Sequence, residues 1–281
     1  MKAQDRTKFL NRLADALGQE EGYAVFRVIN KELDVNSVGI LGNEPVMSEE
    51  KFSQFEEIVS GIELGAPLQY LLGKADFCGM EILVNPSVLI PRPETEELVA
   101  EVLKTSQQQE KRILDLGTGS GCIAIALSKM GRWKSVSALD LSVEALATAQ
   151  QNAEKYGQKI NFYQSNMLEE ISNKGEVWDI LVSNPPYVLN SEANTMENRV
   201  LKHEPHLALF VQDSDPLIFY RKILESVEKN LSAGGEIFLE INPLEAENLL
   251  KLYLQDPSIS DARIIKDMFG KDRFLHAVAV G

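Results

Sequence analysis

Positive charge is what this chain has least of. Its 28 Lys and Arg stand against 42 Asp and Glu, for a net charge of -14 at pH 7. A partner gripped mainly through phosphates needs clustered cations, so direct nucleic-acid binding is not expected. Cysteine is scarce as well. Cys78 and Cys122 are too few for a disulfide framework or a cysteine metal site, and Cys122, inside an apolar run, reads as a small core residue rather than a nucleophile. His203 and His206 lie in a polar stretch with no clustered third donor, so no metal is expected. No Gly-x-Ser-x-Gly elbow marks a hydrolase. No apolar run approaches membrane-spanning length, and Met1-Lys2-Ala3-Gln4-Asp5-Arg6 leads into no h-region. These absences predict a soluble, cytoplasmic protein with no membrane partner.

What is present is an ordinary globular composition, 44% hydrophobic and 25% charged over 281 residues, room enough for two domains. Residues 1–72 read as a helical bundle. Phe9, Leu10, Leu13 and Leu17 make one apolar stripe, and Val25, Val28, Ile29 and Leu33 a second. Ser48 caps a third helix whose buried face carries Phe52, Phe55, Ile58, Val59 and Ile62. The expected role of this bundle is substrate recognition. Residues 73–92 read as a β-hairpin linker turning near Gly79, closed by prolines on either side of Arg92. From residue 93 to 281 strands and helices alternate and end in an antiparallel hairpin, which predicts an open, mostly parallel Rossmann-like sheet. Gln107-Gln108-Gln109 is a polar loop within it. The polar stretch after Tyr187 lacks periodicity and is long for a structureless connection. Asp215-Pro216 supplies an N-cap and a first-turn proline to the helix that follows.

The chemistry-bearing residues fall at the predicted carboxyl ends of strands. Asp115-Leu116-Gly117-Thr118-Gly119-Ser120-Gly121 follows the first strand and leads into the helix opened by Cys122. Such a loop alone also suits a dehydrogenase. Its spacing, however, is Gly-x-Gly-x-Gly with Asp115 ahead of it, and Cys122 stands where a dinucleotide fingerprint has its third glycine. A ligand without phosphates, such as S-adenosylmethionine, fits these residues better than NAD. Asp140 ends the second strand, placed to accept from the two hydroxyls of a ribose. Asn166 and Met167 end the third. The fourth, Trp178 to Ser183, stops at Asn184-Pro185-Pro186-Tyr187, because prolines cannot donate to a ladder. A lone Asn-Pro-Pro-Tyr could be a proline-rich turn. Four strand ends equipped in this way point to function, since ligands of open α/β sheets lie across such ends. An amide oxygen, a carbonyl and a ring there suit a planar nitrogen group that donates two N–H bonds.

Pro67-Leu68-Gln69-Tyr70-Leu71-Leu72-Gly73, Phe77-x-Gly79, Leu89-Ile90-Pro91-Arg92-Pro93-Glu94-Thr95-Glu96, the Asp115 to Gly121 loop and Asn184-Pro185-Pro186-Tyr187 together resemble the HemK/PrmC family. These are the protein-(glutamine-N5) methyltransferases of peptide chain release factors. The resemblance implies a class I methyltransferase fold and S-adenosylmethionine bound by Asp115, Gly117, Thr118, Gly119, Ser120, Gly121, Asp140, Asn166, Met167 and Asn184. It implies release factors as partners, with the glutamine of their Gly-Gly-Gln loop as substrate. Asn184 and the Pro185 carbonyl would each accept one amide N–H, Tyr187 would stack on the amide plane, and Pro186 would line the site. Arg92 and Glu94, by their residues an ion pair at a domain junction, would then shape the substrate entrance. Family members commonly carry an acid where this chain has Asn166, and Asn can still accept from an adenine amino group. An adenine-N6 nucleic-acid methyltransferase shares Asn-Pro-Pro-Tyr, as does a glutamine methyltransferase of a ribosomal protein. A non-catalytic binding module that kept the cofactor fold is opposed by the intact loop and Asn184.

Overall fold

The computed structural model describes residues 3–35, 47–106, 110–169, 171 and 176–281, so the Gln107-Gln108-Gln109 loop lies outside it. The chain forms two units. One is Met1–Gly73 with Glu197–His203, the other Lys74–Met196 with Glu204–Gly281.

The first unit holds α1 (Ala3–Leu17), α2 (Gln19–Glu32), α3 (Glu49–Glu63) and α4 (Leu68–Leu72). Phe9, Leu13, Phe26, Ile29, Phe55, Ile58, Val59 and Ile62 fill its core. The rings of Phe9 and Phe55 lie 4.6 Å apart in a tilted pair, a geometry aromatic quadrupoles favour. Ser48 Oγ accepts from Lys51 N and caps α3 as its sequence predicts. The α2 stripe differs by one position. Val28 is 40% exposed and Phe26 is buried in its place, because Gly22, Phe26 and Ile29 share the helix face that meets the core.

The second unit opens with the hairpin β1 (Lys74–Phe77) and β2 (Met80–Leu83), then α5 (Pro93–Ser106), β3 (Arg112–Leu116), α6 (Cys122–Met130), β4 (Ser135–Asp140), α7 (Val143–Lys155), β5 (Ile160–Gln164) and β6 (Trp178–Ser183). The two-residue β7 (Val188–Leu189) precedes α8 (Asn198–His203), which belongs to the first unit. Then come β8 (Phe210–Val211), α9 (Ile218–Glu225), α10 (Val227–Asn230), β9 (Leu231–Glu240), α11 (Ala246–Gln255), β10 (Ile259–Lys266) and β11 (Asp272–Ala279). The seven-stranded sheet runs β10-β11-β9-β6-β3-β4-β5. Its five strands from β9 to β5 are parallel and β11 is antiparallel to both neighbours. This is the open, mostly parallel Rossmann-like sheet with a terminal antiparallel hairpin that the sequence predicts. Strand alternation sends Leu114 and Leu116 into one core with Leu181, Leu239, Tyr220 and Tyr253, and turns Asp115 to the opposite face.

Two expectations change. The hairpin is part of the second unit instead of a linker: Asn152 of α7 accepts from Leu83 N at 2.7 Å and donates to Leu83 O at 2.9 Å. Such a two-way bond leaves neither backbone group of that strand end unsatisfied. The polar stretch after Tyr187, long for a structureless connection, holds β7, a 3-10 turn at Asn190–Thr195, α8 and β8 over most of its length. Asp215 does not cap a helix. The helix begins at Ile218, and Asp215 instead takes Arg221 in a two-pronged ion pair at 2.7 and 3.0 Å. Among the described residues no helix is long and apolar enough to cross a membrane.

Candidate active site

Strand register builds the site. Leu116 of β3 is paired with Leu139 of β4 and Ser183 of β6, and Ser183 with Leu239 of β9. The next residue along each strand is therefore Gly117, Asp140, Asn184 and Glu240. All four arrive together at the carboxyl edge of the sheet, where open α/β sheets bind ligands. A cavity of about 420 Å³ lies there.

Its floor is the glycine loop. Gly117 has φ 72, a left-handed backbone that strains any side chain, and a Cβ on it would press on the Met167 methyl at 2.9 Å. Gly121 has φ 81, and its bare Cα lets Ala149 of α7 approach to 3.0 Å of the missing Cβ. It serves helix packing and is off the cavity wall, unlike Gly117, Thr118, Gly119 and Ser120. Asp140 lies on the wall, with Gly119 N donating to Oδ2 at 2.8 Å and Ser142 N to Oδ1 at 2.9 Å. Burial raises its pKa against the pull of those bonds. Each oxygen keeps a lone pair for an incoming hydroxyl.

Asp115 differs from expectation. It is fully buried, is not on the cavity wall, and holds the loop from behind. Its Oδ2 accepts from Thr118 Oγ1 at 2.6 Å and from Ala124 N in the first turn of α6 at 3.2 Å. Burial pushes its pKa up to about 7, those two bonds work against the rise, and the nearby Asp140 adds to it. Asn166 and Met167 are both on the wall. Asn166 Oδ1 already accepts from Leu168 N at 3.0 Å and Nδ2 donates to Glu169, so the side chain is fixed in a local turn.

At the end of β6, Asn184 and Pro186 line the cavity, whereas Pro185 is buried and off the wall. Asn184 Nδ2 donates to Thr95 Oγ1 at 3.1 Å, and no described residue donates to its Oδ1. Tyr187 is not on the wall either. Its hydroxyl donates to Glu240 Oε1 at 2.9 Å, which turns the ring back beneath the strand end. Arg92 is on the wall, but its partner is not Glu94. Its Nη2 donates at 2.6 Å to Glu204, whose other oxygen accepts from Ile90 N at 3.1 Å. Glu94 is off the wall. Cys122 reaches the cavity, but burial pushes its thiol up to about 12, which keeps it protonated and inert. Among the described residues no group of His, Cys, Asp and Glu is arranged to hold a metal.

Residues 94–208 match the family described as Methyltransferase small domain. The chain is 43% identical over 246 residues to a release factor glutamine methyltransferase of Bacteroides thetaiotaomicron, covering 87% of this chain and 88% of that protein. To that of Flavobacterium psychrophilum it is 40% identical over 280 residues, covering 96% of each. The chain belongs to the release factor glutamine methyltransferase family. A solved methyltransferase from Pyrococcus furiosus shares the fold alone, with a TM-score of 0.51 at 20% identity over 73% of this chain and 91% of that one.

The cofactor of a release factor glutamine methyltransferase is S-adenosylmethionine, and the cavity fits it. A pyrophosphate would need cations or free helix N–H groups. Here a carboxylate, Asp115, already occupies the first turn of α6, and Arg92, the one cation on the wall among the described residues, is engaged by Glu204. A sulfonium with an amino-acid tail and a ribose is matched instead by the carboxylate of Asp140 and by the apolar Met167, Leu141 and Ile123.

Nothing in the sequence alone marks Thr95, Glu204 and Glu240 as members of the site. Thr95 stood inside the Pro-Glu-Thr-Glu run. Glu240 stood at the carboxyl end of the fifth strand, the position that had marked Asp140.

Proposed function

We propose that this protein transfers a methyl group from S-adenosylmethionine to the side-chain amide nitrogen of the Gly-Gly-Gln glutamine of peptide chain release factors. The observation that carries this is the open Oδ1 of Asn184 on the wall of the cavity that Asp140 and the glycine loop form. Asp140 would hold the ribose hydroxyls, Met167 and Asn166 would border the adenine, and the Gly117 to Ser120 backbone would lie along the tail. When bound, the cofactor supplies a methyl carbon made electrophilic by its sulfonium sulfur.

A carboxamide nitrogen is a poor nucleophile because its lone pair is delocalised into the carbonyl. Asn184 Oδ1 accepts one of its N–H bonds, which fixes the nitrogen and raises its electron density. Placement in line then carries much of the rate. The second acceptor, assigned to the Pro185 carbonyl, requires that the strand end be uncovered as substrate enters. The extra proton leaves to solvent after transfer, so no general base is needed. Arg92, tied to Glu204, would border the entrance. The helical unit would grip the body of the protein substrate.

An adenine amino group would satisfy Asn184 equally well. A nucleic-acid strand would also bring phosphates to a wall whose one cation is already paired. Intact-mass analysis of a release factor incubated with protein and cofactor tests the proposal. One added methyl, mapped to the Gly-Gly-Gln glutamine, is expected, and an unmodified factor would refute it.

A further inference from the structure

We propose that Thr95 and Glu240 are positioning residues that determine which end of the Asn184 amide faces the cavity. The inference rests on the proposed role of Asn184. An asparagine side chain is nearly symmetric in shape, and a half-turn about its last bond exchanges an acceptor oxygen for a donor NH₂. Only the oxygen can receive the N–H of a substrate amide. Something must therefore break the symmetry.

The hydrogen-bond chain does so by directionality. Glu240 is 1% exposed at the carboxyl end of β9, next to Asn184 in the strand row. Burial raises its pKa, while the hydrogen bonds from Thr95 and Tyr187 and the charge of Arg273 work against the rise; as a carboxylate it only accepts. Thr95, 2% exposed at the start of α5, lies with Oγ1 2.7 Å from Glu240 Oε2 and spends its single hydroxyl proton there. Toward Asn184, at 3.1 Å, Thr95 has only lone pairs left. It must receive an N–H, so Nδ2 is drawn inward and Oδ1 is turned to the cavity. Tyr187 gives its proton to the other carboxylate oxygen at 2.9 Å, which keeps Glu240 from rotating out of this arrangement. A carboxylate that touches no substrate thus imposes the polarity of the atom that does.

The experiment compares Thr95→Val with Thr95→Ser in the full-length protein, and repeats Thr95→Val in an Asn184→Ala background. Val keeps the shape and removes the lone pairs; Ser keeps the hydroxyl. Expected for Thr95→Val is a drop in kcat of about 10–100-fold, smaller than for loss of a whole preorganised contact, with affinity for S-adenosylhomocysteine unchanged. Thr95→Ser should restore most of the rate. In the Asn184→Ala background Thr95→Val should cost less than about 2-fold, because the two residues act as one. A parental kcat in Thr95→Val overturns the proposal. So does an equal loss with Asn184 absent, since that is the signature of a general packing defect. Failure of the parent to methylate any release factor would refute the function proposed above, a result distinct from either.

Discussion

Asp115 Oδ2 accepts the backbone N–H of Ala124 at 3.2 Å, so the penultimate residue of β3 caps the next helix from behind the glycine loop. Its carboxyl is held at about 7 by burial. The unfolded value is about 3.9, so between these limits the folded chain keeps a proton that the unfolded chain has lost. The contribution of Asp115 to stability is therefore greatest below the unfolded pKa. It declines as pH rises toward 7 and is fully lost above it. Asp115→Asn can present one oxygen to both Thr118 and Ala124 while removing the titration. Thermal melting of the ligand-free protein from about pH 5 to about pH 8 should show a steeper fall for the parent than for the variant. Parallel curves would place the ionisation elsewhere.

Asp140→Ala should weaken S-adenosylhomocysteine by about 10–100-fold, the equivalent of roughly 1.5–3 kcal/mol for hydrogen bonds to a charged acceptor. It also releases Gly119 N and Ser142 N, so part of the loss is loop order. Calorimetric titration reads it, and an unchanged affinity would remove the ribose from this strand end.

Asn184→Ala should lower single-turnover methyl transfer by about 100–1000-fold with cofactor affinity preserved, as for loss of one preorganised contact. Asn184→Asp keeps an oxygen and adds a charge that attracts a sulfonium in the ground state more than in the transition state. It should fall between Ala and the parent in rate, with cofactor bound as tightly or more so. Parental turnover in Asn184→Ala would exclude the amide as the group that orients the nitrogen.

Arg92 and Glu204 should respond unequally to substitution. The Glu204 side chain is 1% exposed and that of Arg92 31%. Arg92→Ala strands a charge in the interior, which typically costs about 3–5 kcal/mol. Glu204→Gln leaves a half-exposed guanidinium that water can reach, and keeps an acceptor for Ile90 N. Urea unfolding should rank Arg92→Ala as clearly the less stable, and the reverse order would mean that Glu204 is not held by this pair.

The parts legible in the sequence were those written locally. The glycine loop, Asp140 and Asn184 each sit where a strand pattern breaks, so strand ends could be found and laid side by side. Thr95 and Glu240 meet across 145 positions of chain, and Arg92 and Glu204 across 112. No local pattern encodes such partners, and adjacency alone points Arg92 to its neighbour Glu94. Phe26 and Val28 lie two positions apart on one helix, and apolar spacing could not say which of them meets the core. By its motif alone Tyr187 reads as a substrate contact, and the Glu240 that takes its hydroxyl lies 53 positions further along the chain.

The placement of Glu197–His203 in the first unit has a consequence for how this protein can be cut and recombined. The polypeptide passes between units at Gly73–Lys74, Met196–Glu197 and His203–Glu204. A chimera that exchanges only the leading helices would leave Arg199 without Glu21, with which it pairs at 2.8 Å. Exchange of the helical unit as a whole therefore has to carry two separated gene segments at once, its leading helices and the short stretch behind Asn184.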